Sequence, residues 1–339
     1  MRVQTLTVLV FTVIAGLPFL WMAAEVPPQP SRWFKGNLHA HTVNSDGDST
    51  PADVVSWYRE RNYNFLVLSD HNYLTEIGGL NQVYAAKDKF LLIPGEEVSS
   101  SLKEKEVHVN GYGLADQVPR QTGNSIVDLL QKSVDAIRGA KGIPSVNHPN
   151  YTWAIGSKEL LAIKNLRLFE VFNNSWSVGN RGGGGYESNE EMWDAVLSAG
   201  YLLYGIAVDD AHDFKSYGRA LPYPPTVPGT GWIQVRASEL TVGSVLKALN
   251  EGDFYASTGV VLDDIQSTSA ELTVQIHRTR DNLYRTYFIG QGGKVLATST
   301  QLKPVYRFAG DEAYVRARIE ESNGGNAWTQ PIMRTARAR

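Results

Sequence analysis

The chain has 339 residues, 42% of them hydrophobic, with a formal net charge of −3 and no cysteine. Without cysteine it can form neither disulfides nor a lipoprotein anchor, and thiolate catalysis and cysteine-ligated zinc are excluded. The near-balanced charge, with no run of lysine and arginine, argues against an extended nucleic-acid interface and for a small substrate. A chain of this size can hold a barrel of about 250 residues plus a small further module.

In chain order, the first feature is apolar. After Arg2, residues 3–24 carry no charge, and Ala23-Ala24 precede Glu25. This predicts a secretory signal peptide over 1–24 followed by a linker over 25–32. The alternative is an uncleaved membrane anchor, since the run is long enough to span a bilayer. Either way the remainder is expected outside the cytoplasm, secreted or periplasmic.

Next come short apolar runs that end in or enclose histidines and carboxylates: NLHAHT with SDGD, LVLSDHN, LIPGEEVS, VHVNGYG, PSVNHPN and IAVDDAH. His39 and His41 are two apart, so in an extended segment both imidazoles share a face. Asp46 follows, His71 closes the run at 65–68, and Glu97, His108, His148, Asp210 and His212 follow or sit within similar runs. Independent structural histidines would not keep such an address. Between the runs lie helix signatures. Thr50-Pro51 caps a helix over 52–62, residues 124–139 form an amphipathic helix, Ser188 to Glu191 read as a capping box for a helix that Gly200 ends, and 242–250 is a fourth. Strands alternating with helices predict a mostly parallel sheet. Polar strand ends on one rim then predict a multinuclear metal site on a barrel.

Other features admit two readings. The glycine-rich segment 180–186 is either a flexible loop or a lid that brings Arg181 to substrate, and it is no P-loop, because no Gly-Lys-Ser/Thr follows. Lys215 and Arg219, in a proline-rich stretch, are candidate phosphate contacts. Glu170 and Asn173 end a strand on the rim, and Trp153, Trp176 and Tyr186 either line a pocket or simply pack. After Gly259, β-type runs at 272–276, 284–289, 295–297 and 314–320, with turns at 290–293 and 323–325, predict a small β-sandwich-like module over 263–339. It is read as a structural cap, with a surface- or glycan-binding module as the alternative. His277 falls there, away from every motif.

The set H-x-H, S-D-H, G-x-E, a lone His, N-H-P and D-x-H resembles the PHP (polymerase and histidinol phosphatase) domain over residues 33–262. The resemblance implies a distorted (β/α)7 TIM-like barrel with the β module appended. It also implies three divalent metals held by His39, His41, Asp46, His71, Glu97, His108, His148, Asp210 and His212. PGEEV and VDDAH each hold adjacent carboxylates, and the family spacing favours Glu97 over Glu96 and Asp210 over Asp209. Asp70 resembles a family acid expected to orient an imidazole. Asn72 stands where many relatives carry another Asp. The wording G-N-L-H-x-H-T and G-x-F-Y-A-S-T-G is similar to a secreted branch that includes carbaryl-hydrolase-like (CehA/McbA) metallohydrolases.

Histidine-rich ligation suits zinc, manganese or iron better than calcium or magnesium. Three divalent ions against three carboxylates leave about three positive charges, which suit an anionic ester attacked by a metal-bound hydroxide. The expectation is therefore a phosphoesterase acting on a small phosphate ester, with Asp70 and Arg219 as candidate catalytic groups. The alternatives are a carbamate, amide or carboxylic-ester hydrolase with the same site, a 5'-3' exonuclease-like phosphodiesterase, and a catalytically dead metal-binding surface protein. The expected partner is a small ester substrate, with no extended nucleic-acid interface and a membrane contact only through a possible uncleaved N-terminal anchor.

Overall fold

The computed structural model describes residues 31–215 and 224–334. The expected leader and most of the linker lie outside them. Helices begin where capping chemistry places them. Thr50 Oγ1 accepts the Asp53 N–H ahead of α1 (Pro51–Glu60), and α2 (Gly78–Tyr84) follows without a side-chain cap. Ser125 caps α3 (Ile126–Gly139), and α4 (Ser157–Ala162) is short. The Ser188–Glu191 box opens α5 (Asn189–Ser198), and Thr241 caps α6 (Val242–Glu251). The last ends at Gly252, whose φ of 77° is left-handed and whose α-carbon packs on the Tyr204 ring, so no side chain fits there. Burial holds these helices: Val54 and Val55 of α1 are fully buried, worth about 1.5–3 kcal/mol each, against tenths for surface charge pairs.

Seven strands lie side by side in chain order: β1 (Arg32–Asn37), β2 (Phe65–Leu68), β3 (Leu91–Leu102), β4 (Lys105–Tyr112), β5 (Ile143–Val146), β6 (Leu168–Asn173) and β7 (Tyr204–Val208). β1, β2 and β3 are parallel, as are β5, β6 and β7, but β4 runs antiparallel to both neighbours. The mostly parallel sheet expected from the sequence is therefore a mixed one. The cause is local: only Lys103 and Glu104 separate β3 from β4. That is too few for a crossover, and Lys103 turns the chain with φ of 57°. Beyond β7, Ala211 bridges in parallel to Ala40, and the His41 N–H donates to the Ala211 carbonyl at 2.9 Å. The seventh strand thus returns to the end of the first.

On the other side of β1 come β8 (Trp232–Ala237), antiparallel to β1, and β9 (Phe254–Ser257), antiparallel to β8. The remaining strands are β10 (Leu262–Ser267), β11 (Glu271–Ile276), β12 (Tyr284–Gly290), β13 (Lys294–Ser299), β14 (Val305–Arg307), β15 (Tyr314–Glu321), β16 (Asn326–Thr329) and β17 (Ile332–Met333). β9 pairs with β16, which leads through β15 and β12 to β13 within one fourteen-stranded sheet. A separate sheet of β10, β11 and β14 faces it across Leu272, Val274 and Ile276 on one side and Phe288, Val315 and Ile319 on the other. The C-terminal strands prolong the main sheet rather than hang apart from it.

Candidate metal centre

The chain segments that follow β1, β2, β5 and β7, together with the middle of the β3–β4 hairpin, meet on one rim. There the fold gathers His39, His41, Asp46, His71, Glu97, His108, His148, Asp210 and His212 into four donor groups, in each of which the ligand atoms lie within 4.8 Å of one another. One group is His41, Asp46, His71 and His212; the others are His39, His41 and Asp210; His39, Glu97 and His148; and His71, Glu97 and His108. His41, His39, Glu97 and His71 each belong to two groups, so the groups form a closed chain. Glu97 and His108 sit inside their strands, two residues out of register across the hairpin and so on one face, where Ser99 faces His108 and Asn110 faces Glu97.

The donor chemistry fits metal ions. His39 Nε2 and His41 Nε2 stand 3.1 Å apart, and Asp210 Oδ1 is 3.0 Å from the first and 3.1 Å from the second. Glu97 Oε2 is fully buried and accepts no well-formed hydrogen bond, although His71 Nδ1 lies at 2.8 Å, His39 Nε2 at 3.3 Å and His41 Nε2 at 3.4 Å. Imidazole nitrogens and carboxylate oxygens that converge this closely are arranged for cations. Two of these residues, His148 and Asp210, hold left-handed backbone angles of 22° and 52°, a strain that accumulates at functional sites.

Further residues set the imidazoles. Glu170 Oε1 accepts from His39 Nδ1 at 2.7 Å, Glu170 Oε2 accepts the His148 backbone N–H at 2.7 Å, and Asn173 bridges Glu170 and Asp210. The Asp210 carbonyl accepts from His212 Nδ1 at 2.7 Å, leaving Nε2 toward Asp46. His71 Nδ1 lies 2.6 Å from the Ser99 hydroxyl. Asp70, expected to orient an imidazole, touches none. It is fully buried and accepts from the Thr42 backbone N–H at 2.7 Å and from the hydroxyls of Thr42, Ser45 and Thr75. Through Ser45, which lies 3.3 Å from His41 Nδ1, it fixes the turn carrying His41 and Asp46.

Charge in the bare site is shared between imidazoles and carboxylates. Burial raises the Glu97 and Asp210 acidities' pKa values, but the neighbouring histidines prevail and hold both well below the usual carboxylate range. Burial lowers His71 while Glu97 and Asp46 push it up to about 11, and His212, beside Asp46 and Asp210, rises to about 9. His41 falls to about 4, because burial and the charges of His212 and His71 disfavour a further proton. Protons thus stand where cations would.

A pocket of about 450 Å³ opens over the donors, walled by Tyr151, Ser175, Trp176, Val178, Asp213 and Thr226. Among the described residues no lysine or arginine lines it. Arg219 lies outside the described residues. Lys215 turns away, its Nζ donating to the Asp48 carbonyl at 2.8 Å. Trp153 stacks on Tyr186 at 4.5 Å, while Trp176 does reach the pocket. The glycine segment makes a tight turn in which Gly182, Gly183, Gly184 and Gly185 all have positive φ, and Arg181 lines a neighbouring groove instead. His277 is exposed beside Asp263 and belongs to no donor group. Sequence reasoning missed Tyr151, whose ring lies 5.3 Å from His148, and the specific partner of Glu170. An acid inside the otherwise apolar run LFEVFN was the available signal for the second.

No protein-family model matches the chain. It is 31% identical over 111 residues, 32% of this chain and 37% of the relative, to the 5'-3' exoribonuclease of Haemophilus influenzae. It is 30% identical over 111 residues, 29% of this chain and 38% of the relative, to the 5'-3' exoribonuclease Rnm of Salmonella typhimurium. The chain thus spans less than two fifths of the length of these curated relatives. Among solved structures it is similar to a two-domain protein of Bacteroides vulgatus described as containing a predicted PHP-like metal-dependent phosphoesterase, with a TM-score of 0.50 and 15% identity over 91% of this chain and 98% of that one. At that identity the likeness is one of fold: a mixed α/β architecture with a large sheet of parallel and antiparallel strands.

Proposed function

We propose that this chain is a metal-dependent hydrolase that cleaves a phosphate ester, and that β1 to β7 form the distorted barrel carrying its site. The observation that carries the proposal is the closed chain of four donor groups built from six histidines and three carboxylates. The Ala40–Ala211 bridge supports barrel closure. Three divalent ions, zinc, manganese or iron by ligand type, would be held by these residues, each imidazole offering one lone pair and each carboxylate up to two oxygens. Such ions lower the pKa of bound water toward about 7 and draw charge from phosphoryl oxygens.

The chain's own residues do the rest. Asp46, Glu97 and Asp210 cancel only part of the cationic charge, so an anionic ester is attracted. Water adds to phosphorus, the bond to the leaving alcohol breaks, and the water's proton ends on the departing oxygen. The Tyr151 hydroxyl, its pKa raised above the usual tyrosine range by burial foremost, is protonated at neutral pH and can donate a hydrogen bond to that oxygen. Trp176 and Val178 line the pocket wall beside the donors. The two exoribonucleases hydrolyse phosphodiesters, which supports phosphoryl chemistry. A placement outside the cytoplasm, through the leader over 1–24, is part of the proposal.

One observation favours a second reading. No lysine or arginine among the described residues lines the pocket, as suits a neutral carbamate or carboxylic ester. Hydrolysis of matched nitrophenyl phosphate monoester, phosphodiester and carboxylic ester by the manganese-, zinc- or iron-loaded chain separates the two. Phosphate-ester turnover abolished in His39→Ala/His41→Ala supports the phosphoesterase; turnover of the carboxylic ester alone sinks it.

A further inference from the structure

Asn147 stands between the end of β5 and His148 and is 1% exposed. Three hydrogen bonds fix it. Its backbone N–H donates to the His108 carbonyl at 3.1 Å, its Oδ1 accepts the Asn110 backbone N–H at 3.2 Å, and its Nδ2 donates to Glu97 Oε1 at 2.8 Å. The Asn110 N–H can only donate, so Oδ1 must face it and the NH2 group must face Glu97. The backbone of β4 thereby sets the direction of the amide. A purely structural role would need only the two contacts to β4, and those leave Nδ2 to Glu97.

Glu97 has particular need of such a partner. It enters two of the four donor groups, with His39 and His148 in one and with His71 and His108 in the other. A carboxylate can face two groups at once, one oxygen to each, only while its plane is held. Oε1 has His108 Nδ1 at 2.9 Å and His148 Nε2 at 3.3 Å, and Oε2 has His71 Nδ1 at 2.8 Å and His39 Nε2 at 3.3 Å. All four neighbours are imidazoles, and an imidazole nitrogen that turns to a metal gives up its proton. The amide of Asn147 carries its hydrogens whether or not a metal is bound. Among the described residues it is therefore the partner of Oε1 whose hydrogen bond survives metal binding.

We propose that Asn147 is a positioning residue for Glu97: its amide holds Oε1, keeps Oε2 turned toward His39 and His71, and so sets cation affinity in the two donor groups that contain Glu97. The other two groups, His41 with Asp46, His71 and His212, and His39 with His41 and Asp210, do not contain it. The inference rests on the metal-dependent reading above and not on which ester is cleaved.

The test measures manganese binding to the full chain through the electron paramagnetic resonance of the free ion, in the wild type, in Asn147→Ala and in Asn147→Leu, which keeps the volume. Thermal unfolding in chelator reports whether each variant keeps its fold. Expected in a folded variant is a loss of about 10- to 100-fold in the affinity of at least one manganese, with at least one other held within about twofold of wild type. An asparagine that served only the fold would lower the unfolding temperature in chelator and leave the manganese affinities alone. Unchanged affinities, an equal loss of every ion, or failure of both variants to fold overturns the role of Asn147. A wild type that binds neither manganese, zinc nor iron overturns the metal reading itself and Asn147 with it, an outcome distinct from failure of Asn147 alone.

Discussion

Glu170 Oε1 and His39 Nδ1 stand 2.7 Å apart, and both side chains are completely buried. The pair fixes which imidazole nitrogen keeps its proton, so His39 presents Nε2 to the space shared with His41 and Asp210. Glu170→Gln removes the carboxylate while keeping its shape. Metal affinity is expected to fall about 10- to 100-fold, read by competition with a chelating dye. Unchanged affinity would mean that His39 is oriented by packing alone.

Metal binding should release protons. With His71 raised to about 11 and His212 to about 9, both imidazoles are protonated in the bare site at pH 7, whereas ligands must be neutral. Affinity therefore rises with pH from 6 to 9, and calorimetry in buffers of different ionisation heat registers net proton release. Stability of the bare protein moves the other way. Raised folded pKa values bind more protons than the unfolded chain, so their contribution is complete below about 6.5 and is lost as pH climbs through 9 and then 11. A chelated sample whose unfolding temperature rose from pH 7 to 10 would contradict this.

Tyr151→Phe is expected to slow phosphate-ester turnover about 5- to 10-fold for an alkyl leaving group, the loss of roughly one hydrogen bond. Nitrophenyl esters, whose leaving group needs no help, should change little. Equal losses on both would place the hydroxyl on the phosphoryl oxygens rather than on the leaving oxygen.

Gly252→Ala and Gly243→Ala, at the two ends of α6, should act in opposite directions. At Gly252 a methyl group meets the Tyr204 ring and a left-handed backbone, costing about 1–3 kcal/mol. At Gly243 the space is open, with only the Thr241 hydroxyl at 4.0 Å, and alanine should stabilise by about 0.5–1 kcal/mol. Urea unfolding of the two variants reads both.

Much of the donor cluster was legible because its donors sit in tight address words, an apolar run with a histidine or an acid, and each word folds locally, onto a strand end or, for Glu97 and His108, within the strand. His39 with His41, and Asp210 with His212, needed only the two-residue period of extended chain. Helix starts at Thr50 and Ser188 were legible for a similar reason, since a cap is a local hydrogen bond. What escaped depends on distance along the chain. Glu170 meets His39 across 131 positions, and Arg316 meets Asp194 across 122. No local pattern encodes such pairings. The reversal of β4 was readable in principle from the two residues between its strand and β3. That Asp70 reaches His41 only through Ser45 was not legible, because its partners, Thr42, Ser45 and Thr75, are hydroxyls that look like ordinary turn residues.

The central claim is that the nine donors hold metal ions. Crystals of the full chain grown with manganese, zinc or iron, measured at the absorption edge of that metal, test it most directly. The account predicts anomalous peaks inside the donor groups, among them one between His39, His41 and Asp210 and one between His71, Glu97 and His108. A loaded crystal with no anomalous peak within reach of Glu97 would contradict it.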